Sequence, residues 1–91
     1  MDAREMFRRK ALDLLGKEVG FYYFAKEPKK GLCIGYDRID YTPIVLIDYG
    51  TCPITEWDRT DLEETDYIHS EYKELITDDK SLVYLPFDCI I

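Results

Sequence analysis

One histidine, three cysteines and nineteen acidic residues are the groups in this 91-residue chain that could do chemistry. General acid–base catalysis at neutral pH favours histidine, and His69 sits in the run His69-Ser70-Glu71. Neighbouring residues on a helix point in different directions, so Ser70 and His69 do not make a nucleophile–base dyad. The chain has no G-x-S-x-G, no H-E-x-x-H and no phosphate-cradling glycine loop. Cys33, Cys52 and Cys89 with His69 would complete a Cys3His zinc set, but structural zinc sites usually show a closely spaced ligand pair and these intervals are long. An odd number of cysteines without C-x-x-C spacing reads as small buried hydrophobes in a reducing compartment. Asp58, Asp61, Glu63, Glu64 and Asp66 lack the D-x-D-x-D-G register and turn glycine of a calcium loop. These residue types predict no enzyme, no cofactor and no metal.

Charge and aromatic rings are more informative. Residues 56–79 hold ten acids against Arg59 and Lys73, a net −8 in a chain of net −7. That balance has the wrong sign for a phosphate-backbone binder. Eight tyrosines, four phenylalanines and one tryptophan exceed what a small core needs. Tyr41, Trp57, Tyr67 and Tyr72 fall in or beside charged segments, where such rings serve as interface anchors. Closely spaced carboxylates can imitate a phosphate backbone and steer the chain onto a basic groove. The expected partner is therefore a basic protein, one that handles nucleic acid. Its expected contacts are Trp57, Asp58, Asp61, Glu63, Glu64, Asp66, Tyr67, Glu71 and Tyr72. Small acidic inhibitors such as phage anti-CRISPR proteins share this size and charge. The alternative surface is Arg4, Arg8 and Arg9, because residues 1–17 are net +2 and residues 18–91 net −9.

The elements that must position these groups follow from periodicity. Asp2 and Glu5 frame the start of a helix over Asp2–Leu15, with Ala3, Phe7, Ala11, Leu14 and Leu15 on one stripe and Gly16 placed to end it. From Lys17 the period falls to two. Strands are expected over Glu18–Ala25, Leu32–Tyr36, Ile44–Tyr49 and Ser81–Leu85, with Phe87–Ile91 closing the sheet. Gly35 inside a strand predicts a sharp bend or a close backbone approach. Ile68, Tyr72, Leu75 and Ile76 recur at helical spacing and predict a second, short helix. No stretch has the ~18–20 apolar residues needed to span a bilayer and no signal peptide is visible, so a cytoplasmic protein is expected.

Leu15-Gly16-Lys17-Glu18-Val19, then Gly31-Leu32-Cys33-Ile34-Gly35-Tyr36-Asp37, then an apolar strand, resemble the first motif of Sm and Sm-like proteins. Leu82–Ile91 is similar to the strand pair that closes the barrel of the bacterial Sm-like protein Hfq. The resemblance implies an SH3/Sm-type barrel. Where the family has a base-contacting Asn after the Asp, this chain has Ile39, Asp40 and Tyr41, so the family's RNA-contacting residues do not carry over. The expected fold is α+β: a capped N-terminal helix (1–16), a small, strongly bent antiparallel SH3/Sm-like β-barrel (17–50), an acidic, partly helical insertion (51–80) and closing strands (81–91), in one domain of 91 residues. The expected function is non-enzymatic protein binding. An Sm-like RNA-binding ring protein is the second reading and a small-substrate enzyme the third. Repulsion among copies carrying −9 each predicts a monomer or dimer over a ring.

Overall fold

The computed structural model describes residues 2–22, 27–48 and 65–91. Asp2 caps the first helix, α1 (Ala3–Leu14), by accepting the Glu5 N–H at 2.8 Å. Glu5 turns to Arg8 and Arg9 at 3.3 and 3.5 Å. Gly16 takes φ +83°, the left-handed turn its position predicts, and donates its N–H to Cys33 O at 2.8 Å. A side chain there would be strained and would meet the Tyr72 hydroxyl.

Five strands follow: β1 (Glu18–Phe21), β2 (Lys29–Asp37), β3 (Pro43–Asp48), β4 (Asp66–Ile68) and β5 (Lys80–Tyr84). All pairs are antiparallel, in the order β1-β2-β3-β5, and β4 joins the far half of β2. β2 starts earlier than its apolar run does: Lys29, Lys30 and Gly31 pair with Phe21, Gly20 and Val19, because ladder hydrogen bonds do not depend on side-chain polarity. The register shifts between Cys33 and Gly35. Past this bulge β2 leaves β1 and takes β4 as its neighbour. Gly35 is what lets β4 approach, since a Cβ there would lie 1.9 Å from Tyr67 O.

β3 is central, as its apolar run predicts, and it feeds two cores. Val45 and Ile47 pack with Val19, Phe21, Cys33, Val83 and Leu85, over which Leu14, Cys89 and Ile90 close. Ile44 and Leu46 pack with Ile34, Ile68 and Leu82, flanked by Tyr72 and Ile76. Alternate residues of a strand face opposite ways, so one core lies on each side of the sheet. Each fully buried side chain of this size contributes about 1.5–3 kcal/mol.

Two expected elements differ. Ile68, Tyr72, Leu75 and Ile76 do not share one α-helix: Ile68 is in β4, Ser70–Leu75 is a 3-10 helix, and Leu75 is exposed. A three-residue turn breaks the 3.6-residue stripe, and the edge of β2 beyond the bulge takes Ile68 as a strand residue. Phe87–Ile91 is not a strand either. Pro86 has no N–H to add to a ladder, and Phe87–Cys89 forms a 3-10 turn with Cys89 and Ile90 N–H groups bonded back to Pro86 and Phe87. Only then does the chain reach β1, with Ile90 bridging Phe21, Cys89 O accepting from Tyr22 N–H at 2.8 Å and Ile91 N–H donating to Gly20 O at 2.9 Å.

Candidate functional site

Of the expected contact residues, Trp57, Asp58, Asp61, Glu63 and Glu64 lie outside the described residues, as does Cys52. The remaining four separate by role. Glu71 is exposed. Tyr72 is half-buried against the second core, its ring 5.2 Å from that of His69. Asp66 and Tyr67 are half-buried on β4. Asp66, expected among the partner contacts, accepts a hydrogen bond from the Tyr84 hydroxyl. Glu71, Glu74 and Asp78 form an acidic strip along the 3-10 helix and the turn after it, and among the described residues none of the three is ion-paired. Asp79 accepts from the Thr77 hydroxyl, which holds its carboxyl below the usual range.

His69 has a structural task. Its Nδ1 accepts the Glu71 N–H at 3.2 Å and caps the 3-10 helix, while the His69 backbone N–H donates to Ile34 O at 3.0 Å. It therefore contributes to the fold as a cap. His69→Ala is expected to cost about 1 kcal/mol, the usual loss for a cap, and His69→Asn to recover most of it; urea denaturation of the two variants measures both.

Cys33 is fully buried and its thiol donates to Gly35 O at 3.6 Å. Burial pushes its pKa up to about 11. Since the thiolate is the reactive form, Cys33 is expected to stay unlabelled by a thiol reagent at pH 8 until the protein is unfolded, as peptide mass mapping after labelling would show. Cys33 and Cys89 are free thiols. Among the described residues no three His, Cys, Asp or Glu side chains converge as a metal site, and no helix is long and apolar enough to cross a membrane.

A hollow of about 330 Å³ lies over Leu32, Leu46 and Leu75. Glu18 with Lys30 (3.8 Å) and Asp48 with Lys80 stand at its rim as ion pairs. The bond to Asp48 raises the Lys80 pKa, which keeps that amine charged and non-nucleophilic.

A different cluster forms where α1 meets the end of β2. The Tyr36 ring lies 4.9 Å from Tyr67 and 5.6 Å from Tyr41, and the Arg4 guanidinium sits 5.6 Å over Tyr41. The loop between β2 and β3 is self-bonded. Asp37 Oδ1 accepts from Ile39 N–H, Asp40 Oδ1 from the N–H and hydroxyl of Thr42, and Asp37 O from Tyr41 N–H at 2.7 Å. These bonds hold Tyr41 at φ +62°, a left-handed conformation that costs a tyrosine about 1 kcal/mol. Arg38 bonds Thr65 O through both its backbone N–H and its Nε.

No family model, curated protein or solved structure matches the chain.

Its own geometry is then the guide to function. Burial and the neighbouring Tyr67 and Tyr41 phenols raise the Tyr36 pKa, against the pull of Arg8 and Arg38. Tyr36 is thus a neutral hydroxyl at neutral pH, able to donate and accept. Sequence reasoning reached Tyr41, Tyr67 and the helix arginines singly and missed Tyr36 and Arg38. Their meeting depends on the β2 bulge and the seating of α1, and the one local sign was the aromatic-charged run Tyr36-Asp37-Arg38 leading to Tyr41.

Proposed function

We propose that this protein is a non-catalytic docking protein whose acidic segment binds a basic, nucleic-acid-handling partner. The observation that carries this reading is the strip of Glu71, Glu74 and Asp78, exposed carboxylates without ion-pair partners among the described residues. A fold gains nothing from concentrating like charges beyond what Lys73, on the same 3-10 helix, can offset, because they repel. Presented to a basic groove, they supply steering and register. The 3-10 helix that carries Glu71 and Glu74 is pinned by the His69 cap and by Tyr72 packed against the second core, so this part of the strip is held in place before a partner arrives.

The scaffold we propose is a strongly bent SH3/Sm-like barrel with 51–80 as an acidic insertion. The bulge at Gly35, the 3-10 turn after β5 and the return of Ile90 to Phe21 support it. The family's RNA chemistry is not part of the reading, since Ile39, Asp40 and Tyr41 replace the base-contacting Asn.

Charge reversal tests the function. With the partner captured from the native host, Glu71→Lys, Glu74→Lys and Asp78→Lys together should slow association by about tenfold or more and flatten its salt dependence. Trp57→Ala should act on the off-rate, as loss of an anchor does. The three reversed side chains are exposed, so the fold should persist. Unchanged binding by the triple variant would show that the strip is not the docking surface.

A further inference from the structure

We infer that the face built around Tyr36, Tyr41 and Tyr67 docks a second copy of this chain about a two-fold axis, independently of the acidic strip. A two-fold contact sets a patch against itself, so a patch of one sign repels its own copy. Most of this chain is unsuited to that, with residues 18–91 at net −9. The tyrosine face is balanced. Arg4 lies over Tyr41; Arg8, one turn further along the same side of the helix, bonds Glu5; and Arg38 bonds Thr65. Three acids lie on the same helix and loop: Glu5 bonds Arg8, and Asp37 and Asp40 flank Arg38 in the loop that carries Tyr41. Such a surface offers each sign to its copy, and its phenol hydroxyls both donate and accept.

The face also has anchors. Ile39, at the tip of the loop beside Tyr41, is 65% exposed. Leu12, one helical turn past Arg8 on the stripe Arg4-Arg8-Leu12, is 40% exposed. Tyrosine and arginine around an apolar centre is the composition of interface hot spots. Tyr41 is already ordered by its loop and by its contacts with Tyr36 and Arg4, so little freedom is lost when a partner meets it. A single-stranded nucleic acid is the other occupant for tyrosines and arginines. Here three carboxylates oppose its phosphates, the rings pack tilted against one another, and Arg4 already covers Tyr41.

Sedimentation equilibrium of the whole chain over a wide concentration range tests the assignment without any partner. The wild type should pass from monomer to dimer. Ile39→Lys and Tyr41→Gly should each raise the dimer dissociation constant at least tenfold. Glycine suits the φ of +62° at position 41, so that variant should melt no lower than the wild type while losing the ring. The Glu71, Glu74 and Asp78 reversal should leave the dimer intact, which separates this inference from the docking function. A monomer at every concentration, a dimer indifferent to both substitutions, or a six- or seven-membered ring would overturn it. So would binding of a short oligonucleotide that Tyr41→Gly abolishes while the chain stays monomeric.

Discussion

Gly35→Ala is expected to destabilise the protein by roughly 3 kcal/mol or more, a fall of about 15 °C or more in Tm for a domain of this size. The added Cβ would sit 1.9 Å from Tyr67 O and 2.9 Å from the Ile68 side chain. The nearest obstacle is backbone, which cannot swing aside as a long side chain can. Relief requires β4 to leave β2, and with it go the Tyr36–Tyr67 contact and the seat of Ile68 in the second core. The control is Gly20→Ala. There a Cβ meets Ile91 Cδ1 at 3.7 Å and Lys29 O at 3.9 Å, ordinary contact distances, so the change should be within about 1 kcal/mol of neutral. Thermal unfolding by circular dichroism compares the two. Equal behaviour would mean that β4 does not approach β2 at Gly35.

Phe21→Ala is the second large effect, expected at about 3–5 kcal/mol. Phe21 is fully buried in the first core, and its backbone is the point where the chain end returns to β1. Removing the ring leaves a cavity beneath Val19, Val45 and Leu85 and takes support from under Ile90. Against the roughly 5–15 kcal/mol of a typical domain this brings the variant close to its unfolding midpoint at room temperature. Urea titration with hydrogen exchange at Tyr22 and Ile91 distinguishes global loss from local detachment. Those two amides donate across the junction to Cys89 and Gly20 and should exchange fastest if the end detaches first. Phe21→Leu, which retains most of the volume, should cost under about 1.5 kcal/mol.

Much of the scaffold was legible in the amino-acid order because its signals are local. Asp2 and Glu5 marked the start of α1 and Gly16 its end, since a cap and a left-handed turn are settled within a few residues. The apolar run Ile44–Ile47 announced a central strand, because only a strand covered on both faces needs no polar side. Gly35 announced a bend or a close approach and the structure has both. Legibility failed where a local pattern served two masters. Ile68, Tyr72, Leu75 and Ile76 kept helical spacing, yet the edge of β2 captured Ile68 and the rest wound into a 3-10 helix.

For the candidate surfaces the division is sharper. Composition and order alone determined where the acids concentrate, which rings lie among them, and that α1 carries the opposing charge. Only the tertiary structure decided which of those groups meet water. It packed Tyr72 half-buried against a core, bonded Asp66 to Tyr84, gave His69 a capping role, and brought Arg4, Tyr36, Tyr41 and Tyr67 together from α1, β2, the β2–β3 loop and β4. The physical reason is that charge and periodicity are properties of neighbours in the chain. Burial and convergence arise from contacts between residues far apart in it, and here those contacts pass through one bulge in β2 that a glycine permits.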